Sequence, residues 1–312
     1  MQIPFFKSLE SSRRVLISGC GGGFDIVSGL PVHSWLKAAG KQVVLANLSF
    51  SRVDLSCRER IGPSGWIVDG NCERMTYFPE RHLSEWLSLR GDDPTVIAFE
   101  KTGVQPLRAS YDAVVARFGI DTIILIDGGT DSVVKGNEAL LGTVEEDAAS
   151  IVAVDMVVGP RKFLACLGFG IDQFHGICHH SFLENTAEIL RSGGFLGCAS
   201  VSRGTPEGDA MLDAVDFLNN RQPGHKSIVS NSIASAMRGD FGDVQFSERT
   251  AGSELFINPL MSLLWCYDLP TVAANMGFYR EIADTRTFPE LEDAIRLHHA
   301  NAEKREWTIL PL

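Results

Sequence analysis

The sequence repeats one pattern along most of its length: a short apolar run, a cluster of glycine or small polar residues, and a segment with helical periodicity. The runs are apolar throughout, which is typical of strands buried on both faces of a parallel sheet. They occupy residues 14–18, 43–48, 95–99, 122–126, 163–167 and 195–200. Strands that alternate with helices of this length predict an α/β fold with a doubly wound, mostly parallel, Rossmann-like sheet.

Helices are expected between these runs, at residues 26–39, 110–118, 181–191 and 206–219. The first three end next to a glycine, the residue that most readily adopts the left-handed conformation of a helix terminus. Residues 52–90 do not follow the pattern, and we interpret them as an excursion over the ligand-binding face.

The pattern changes again at Asn258. Asn258 and Pro259 predict a helix start, because Asn is a good N-cap and Pro is tolerated in the first turn. This helix would continue through LMSLLWCYDL, and a second amphipathic helix is expected at residues 287–303. We therefore divide the chain into a Rossmann-like α/β domain, residues 1–257, and a helical C-terminal subregion, residues 258–312, that packs on it.

The charge balance of the 312-residue chain excludes one class of partner. Its 28 Lys and Arg against 39 Asp and Glu give a net charge of -11. Affinity for a phosphate backbone comes largely from basic side chains, so nucleic acid is not an expected partner. The longest candidate membrane span, residues 260–265, is far shorter than the roughly 20 apolar residues required, so no membrane partner is expected either.

The cysteines and the first residues of the sequence indicate the cellular compartment in which the protein is expected. The seven cysteines are scattered and form no C-x-x-C pair, a pattern that favours reduced thiols over a disulfide framework or a zinc knuckle. The first residues lack the charged start and apolar stretch of a signal peptide. We expect a cytoplasmic protein.

The loop after the first strand is rich in glycine, with the sequence GCGGGFD at residues 19–25. Its backbone N–H groups and the following helix N-terminus could bind a phosphate or another anion. NAD or FAD is not expected, because Phe24 occupies the last glycine position of G-x-G-x-x-G and the second strand ends in Asn47 rather than an acidic residue. The alternative is a tight turn in which Asp25 caps the helix.

The loop after the fourth strand, IDGGTDS, places Asp127 and Asp131 within one short turn. Two such carboxylates can hold Mg²⁺ or another hard cation, accept hydrogen bonds from sugar or amine groups, or act as a general base. The alternative is a turn in which Thr130 or Asp131 caps a helix.

The loop after the fifth strand contains Asp172, His175 and His179. The two histidines are four residues apart, a spacing that could bind zinc on one helix face. Gly176 between them weakens a helix, and no H-E-x-x-H motif is present. Asp172 and His175 could instead form an acid/base pair, or the polar residues could simply face solvent at a helix N-terminus.

Three motifs resemble the family known as domain of unknown function 1152. They are GGGFDIVSGLP at residues 21–31, LIDGGTDSVVKG at 125–136 and NPLMSLLWCYDLPTVAANM at 258–276. The resemblance covers nearly the full length and departs from the family pattern at Phe24, where a smaller residue is expected. It implies an α/β fold and marks the two glycine-rich, aspartate-bearing loops as its signature, but it implies no reaction.

Ligands of open parallel sheets bind at the carboxyl ends of the strands, and these loops share that edge. We therefore expect an enzyme, a hydrolase or group transferase, that acts there on a small polar, nucleoside-like or phosphorylated metabolite. The expected catalytic residues are Asp127, Asp131, Asp172 and His175. The expected ligand-binding residues are Gly21, Gly22, Gly23, Asp25, Glu100, Gly128, Gly129, Thr130 and Ser132.

No cofactor is identified by a motif, but a divalent cation on Asp25, Asp127 and Asp131 would relieve the repulsion among clustered carboxylates. A non-catalytic sensor or binding subunit that uses the same pocket is the alternative. A third hypothesis is an interaction protein whose C-terminal helices, with Trp265 and Tyr267, form a homo-oligomer interface.

Overall fold

The computed structural model describes residues 2–245 and 255–310, except for the side chain of Phe174. In these ranges the strands are β1 (Arg14–Gly19), β2 (Gln42–Ser49), β3 (Arg60–Ile61), β4 (Gly65–Val68), β5 (Val96–Glu100), β6 (Thr122–Asp127), β7 (Arg161–Cys166), β8 (Phe195–Ser200), β9 (Gly242–Asp243), β10 (Phe256–Ile257) and β11 (Leu263–Asp268). The helices are α1 (Pro4–Ser8), α2 (Asp25–Ser28), α3 (Leu30–Ala38), α4 (Val53–Ser56), α5 (Pro79–Leu89), α6 (Val104–Phe118), α7 (Val144–Asp155), α8 (His179–Arg191), α9 (Pro206–Arg221), α10 (Ile228–Arg238), α11 (Leu269–Asn275), α12 (Tyr279–Ile282) and α13 (Phe288–Asn301).

One sheet of nine strands forms the centre of the molecule, in the order β3-β4-β5-β2-β1-β6-β7-β11-β8. Strands β5, β2, β1, β6 and β7 are parallel, while β4 and β11 run antiparallel to their neighbours. The chain runs outward from β1 in both directions, so the strand order reverses beside β1. The register pairs Gly19 with both Asn47 and Ile126, which brings the loops after β1 and β6 together at the carboxyl edge.

Helices cover both faces of this sheet, because successive strand residues point to opposite sides. Leu16 and Ile123 belong to one apolar core, shared with α6, α7, α8 and α11–α13. Val15 and Ile124 belong to the other, shared with α1–α5, α9 and α10. The fold is therefore doubly wound and mostly parallel, as the uninterrupted apolar runs predict. No helix in the described ranges is long and apolar enough to cross a membrane.

The prediction of a helix through LMSLLWCYDL is wrong. A short 3-10 turn, Pro259–Ser262, leads directly into β11, which lies inside the sheet between β7 and β8. Alternate residues of β11 enter the two cores, so both of its faces must be apolar, and a strand of this kind shows no period-2 signal. The helices α11–α13 beyond it agree with a helical C-terminal region, and the division of the chain at residue 257 stays a prediction.

Trp265 and Tyr267, the residues expected at an oligomer interface, lie inside the molecule. Tyr267 is fully buried, and its hydroxyl shares a 3.0 Å hydrogen bond with Thr186. Trp265 is half-buried and packs against Phe169, Phe182 and Phe195. These two side chains therefore stabilise the sheet and its covering helices.

Two smaller expectations also need correction. The helix expected at residues 26–39 is split at Gly29, where a Cβ would lie 2.8 Å from Ile17. Part of the expected excursion at 52–90 extends the sheet edge through β3 and β4, and within it Cys57 and Cys72 form a disulfide. The expectation that every cysteine is a free thiol is wrong for this pair.

Candidate functional site

Five aspartates converge at the carboxyl edge of the sheet, where the loops after β1, β6 and β7 meet the start of α7. They are Asp25, Asp127, Asp131, Asp147 and Asp172, and we call them the aspartate cluster. Asp127, Asp131, Asp147 and Asp172 are each 5% exposed or less. Carboxylates are rarely buried to this extent unless they are paired with a cation or protonated.

Asp127 and Asp131 both lie in the loop that the sequence singled out. One oxygen of Asp127 accepts hydrogen bonds from the hydroxyl of Ser132, at 2.5 Å, and from its backbone N–H, at 3.2 Å. Oδ2 of Asp131 accepts from the backbone N–H and the hydroxyl of Thr143, at 3.0 and 3.1 Å. These contacts fix each carboxylate through its Oδ2 atom.

Asp172 reaches this loop from the 3-10 helix Ile171–His175 after β7. Its Oδ2 accepts a 2.5 Å hydrogen bond from the backbone N–H of Thr130. A Cβ on Gly129 would lie 2.5 Å from the same oxygen, so only glycine leaves room for this approach. The contact links the β6 and β7 loops, which is a positioning role for Asp172.

Asp147, which the sequence reasoning missed, lies at the centre of the cluster. It occupies the first turn of α7 and accepts a 3.0 Å hydrogen bond from the thiol of Cys20. A Cβ on Gly21 would lie 2.6 Å from Oδ2 of Asp147 and 2.7 Å from Oδ2 of Asp25. Gly21 therefore lets the first loop approach two carboxylates.

Two groups of side chains in this region could hold a cation, and Asp147 belongs to both. The ligand atoms of Asp127, Asp131 and Asp147 lie within 4.8 Å of one another, and so do those of Cys20, Asp25 and Asp147. The first group offers only oxygen, as Mg²⁺ or Mn²⁺ prefers, whereas the second includes a sulfur that suits softer ions.

Two further polar atoms in this region lack partners. Oδ2 of Asp25 is buried and has no hydrogen-bond partner of good geometry in the described part of the chain, although the backbone N–H groups of Gly21 and Gly128 lower the pKa of this carboxyl. The hydroxyl of Ser28 likewise has no partner there. A Cβ on Gly128 would lie 2.7 Å from the other oxygen of Asp25 and 3.3 Å from the Ser28 hydroxyl. Both atoms could therefore serve a bound ion or substrate beside Gly128.

Burial dominates the electrostatics of the cluster. Burial, followed by repulsion from neighbouring carboxylates, raises the pKa of Asp25, Asp147 and Asp172 well above the usual aspartate range. Burial and then Asp131 raise the pKa of Asp127. Burial also raises the pKa of Asp131, and hydrogen bonds from Thr143 oppose this. The protein alone therefore favours protonated carboxyls, whereas a bound cation would favour the ionised forms.

The two histidines occupy different elements. His175 is exposed at the end of the 3-10 helix, and α8 begins at His179, with Gly176 at a φ of 91° between them. The helix face assumed for a zinc pair does not exist. Burial raises the pKa of Asp131, and the charge of His175 opposes this. His175 therefore lies within electrostatic reach of the cluster.

Other expected ligand residues line the edge of the cluster. Gly22 lies against Phe50, and Gly23 lies against Phe50 and Tyr77, so aromatic rings cover this part of the first loop. Glu100 ends β5, two strands away from β1, and the structure does not bring it into the cluster.

Asn47 of β2 packs against the glycine loop. Asn47 is fully buried, and its Nδ2 donates to the Gly23 carbonyl at 2.9 Å and to Glu80 at 2.8 Å. Its Oδ1 lies so close to Gly19 that a Cβ there would clash at 2.2 Å. Asn47 thus holds the glycine loop in place through its hydrogen bond to Gly23.

Comparison with known proteins gives a family without an assigned activity. A family model described as "Protein of unknown function (DUF1152)" matches residues 16–305. No curated protein matches the chain.

Proposed function

The chain belongs to the DUF1152 family, and from that premise we propose that it is a hydrolase or group transferase that uses a divalent cation held by the aspartate cluster. Its substrate would be a small polar metabolite at the carboxyl edge of the sheet. The observation that carries the proposal is the convergence of Asp127, Asp131 and Asp147, all nearly inaccessible to solvent, with ligand atoms within 4.8 Å of one another.

The cost of burial supports a cation at this place. An ionised carboxylate that loses its water carries a penalty of several kcal/mol, and like charges nearby increase it. Hydrogen bonds from Ser132 and Thr143 satisfy one oxygen each of Asp127 and Asp131 and leave the negative charge uncompensated. A divalent cation would neutralise two carboxylates at once, and a second one on the Cys20 side would share Asp147.

The arrangement suits hydrolysis or group transfer. A cation on this site would polarise a carbonyl or phosphoryl oxygen and lower the pKa of a bound water. Asp127, Asp131 and Asp147 would hold the ion, and the unpartnered oxygen of Asp25 would contact substrate or water. His175, exposed and near Asp131, would exchange protons with solvent. The proposal needs Cys20 as a thiol, and Cys20 is a free, buried cysteine in the structure.

Metal binding and turnover test the proposal together. Purified protein, stripped with EDTA, is titrated with Mg²⁺, Mn²⁺ and Zn²⁺ by calorimetry, and a panel of phosphate monoesters and nucleosides is analysed for products with and without each ion. Asp131→Asn keeps the acceptor for Thr143 but removes the charge. Asp284→Asn, at an exposed position outside the cluster, is the matched control.

We expect the wild type and Asp284→Asn to bind at least one ion. Asp131→Asn should bind about 100-fold more weakly or worse, since loss of an outer partner alone costs 10–100-fold. No binding of any of the three ions, or equal binding by Asp131→Asn, would overturn the proposal. Ion-dependent ligand binding without any product would instead identify a non-catalytic sensor.

A further inference from the structure

A cleft of about 570 Å³ lies between the loop before α5 and the end of α9. Arg74, His82 and Gln222 line it, together with Glu85, Arg221 and His225. None of these residues belongs to the aspartate cluster, so the cleft can be judged on its own contacts.

Gln222, which lines the cleft, has one polar side-chain atom without a hydrogen-bond partner in residues 2–245 and 255–310. Its side chain is 3% exposed, and its Oε1 accepts a 3.2 Å hydrogen bond from the backbone N–H of Phe78. Because that partner is a donor, the amide cannot be flipped without losing the bond. Nε2 is left buried and without an acceptor in the described part of the protein. A buried donor without an acceptor costs about 1–3 kcal/mol, so an acceptor that reached this atom would relieve that cost.

A second residue that lines the cleft, His82, also has a buried side-chain nitrogen without a hydrogen-bond partner within the described ranges. His82 is 8% exposed, and its Nδ1 has no hydrogen-bond partner among the described residues. The nearest carboxylate oxygen, on Glu85, lies 3.9 Å away, which is beyond hydrogen-bond distance. Two residues that line the cleft, both nearly buried, thus each have one polar side-chain atom without a partner in the part of the chain that the structure describes.

The charges that line the cleft favour an anion. Arg221 and Glu85 neutralise each other through two hydrogen bonds, of 2.6 and 3.2 Å. Arg74, on the exposed loop, therefore contributes positive charge that the other described lining residues do not balance. A guanidinium and an amide N–H₂ are donors that together match the oxygens of a phosphate.

The cleft and the aspartate cluster flank the same aromatic residues. The ring of His225 in the cleft lies 5.7 Å from that of Tyr77, which in turn lies 6.0 Å from that of Phe24. Phe24 directly precedes Asp25. A molecule anchored in the cleft would therefore be held at the same edge of the sheet as the cluster.

We propose that this cleft binds the phosphate group of a small molecule, through Nε2 of Gln222 and the guanidinium of Arg74. The inference stands on residues that the proposed activity does not use. The phosphate could come from the free ion or from the phosphorylated end of a metabolite, and both present the same oxygens to the cleft.

The test is calorimetric titration in EDTA, at constant ionic strength, with inorganic phosphate and separately with glycerol 3-phosphate. EDTA removes any cation from the aspartate cluster, so a failure of this inference remains distinct from a failure of the proposed activity. Gln222→Glu keeps the acceptor for Phe78 but replaces the donor with an anionic oxygen. Arg74→Gln changes an exposed loop residue, and Arg58→Gln, exposed and outside the cleft, is the matched control.

We expect saturable one-to-one binding to the wild type and to Arg58→Gln. Arg74→Gln should weaken it about tenfold, the value of one charge-assisted hydrogen bond, and Gln222→Glu at least as much. Tighter binding of the ester than of phosphate would identify a phosphorylated metabolite, and the reverse would identify the free ion. No saturation of the wild type at about 10 mM of either probe, or equal affinity in Arg74→Gln, would overturn the proposal.

Discussion

Glu80 offers a quantitative test of how this edge of the sheet is built. It lies in the first turn of α5, is fully buried, and accepts a 2.8 Å hydrogen bond from Asn47. Its other oxygen has no partner in the described ranges. Burial raises the pKa of Glu80 from 4.5 to about 7, and the hydrogen bond from Asn47 and a weaker contribution from the Ser49 hydroxyl oppose this. The folded protein therefore holds the Glu80 proton more tightly than the unfolded chain does.

The sign of the pH dependence follows from linkage. Below the unfolded pKa both states are protonated, so the stability associated with the proton is fully present, and it is lost as pH rises through the folded pKa. A rise of the pKa from 4.5 to about 7 corresponds to about 3 kcal/mol, at roughly 1.4 kcal/mol per pH unit. Most of that loss falls between about pH 5 and pH 8.

Glu80→Gln should remove this loss, because glutamine keeps the acceptor for Asn47 and carries no charge. Urea unfolding at about pH 5 and pH 8 measures the free energy of unfolding of both proteins. We expect the variant to exceed the wild type by about 3 kcal/mol at pH 8 and by less than about 1 kcal/mol at pH 5. Glu303→Gln, at an exposed position, should show no such difference. Equal pH dependence of Glu80→Gln and wild type would refute this reading of the buried carboxyl.

Two further predictions concern stability. Gly129→Ala should lower the free energy of unfolding by about 1–3 kcal/mol, because the new methyl would lie 2.5 Å from Asp172. Gly70→Ala, with nothing within 4 Å of the new methyl, should cost little. Chemical denaturation compares the two variants, and equal losses would contradict the close packing at Gly129. The disulfide between Cys57 and Cys72 closes a separation of 15 residues, so reduction should lower the free energy of unfolding by about 3 kcal/mol. Unfolding with and without dithiothreitol measures this, and Cys57→Ser should abolish the difference; a wild type insensitive to the reductant would contradict the pairing.

Much of the fold could be predicted from local sequence, because a parallel strand that is buried on both faces appears in the sequence as a run of consecutive apolar residues. The strands β1, β2, β6 and β7 each contain at least three consecutive apolar residues. Gly119 ends α6 in the left-handed conformation predicted for it. The same reasoning failed at β11. A strand between two cores and a buried helix are both apolar throughout, so residues 263–268 were ambiguous until their neighbours were known.

The sequence by itself determined the α/β class, the family, and the two loops that bear Asp25, Asp127 and Asp131, since strands and glycine turns are local features. Only the tertiary structure decided that Asp147 completes the cluster. An acidic residue in the first turn of a helix is ordinary, because it stabilises the helix dipole, and nothing in VEEDAAS distinguishes Asp147 from its neighbours. The packing of α7 against the β1 loop places that carboxylate beside Cys20, and contacts between residues 127 positions apart leave no local pattern in a sequence.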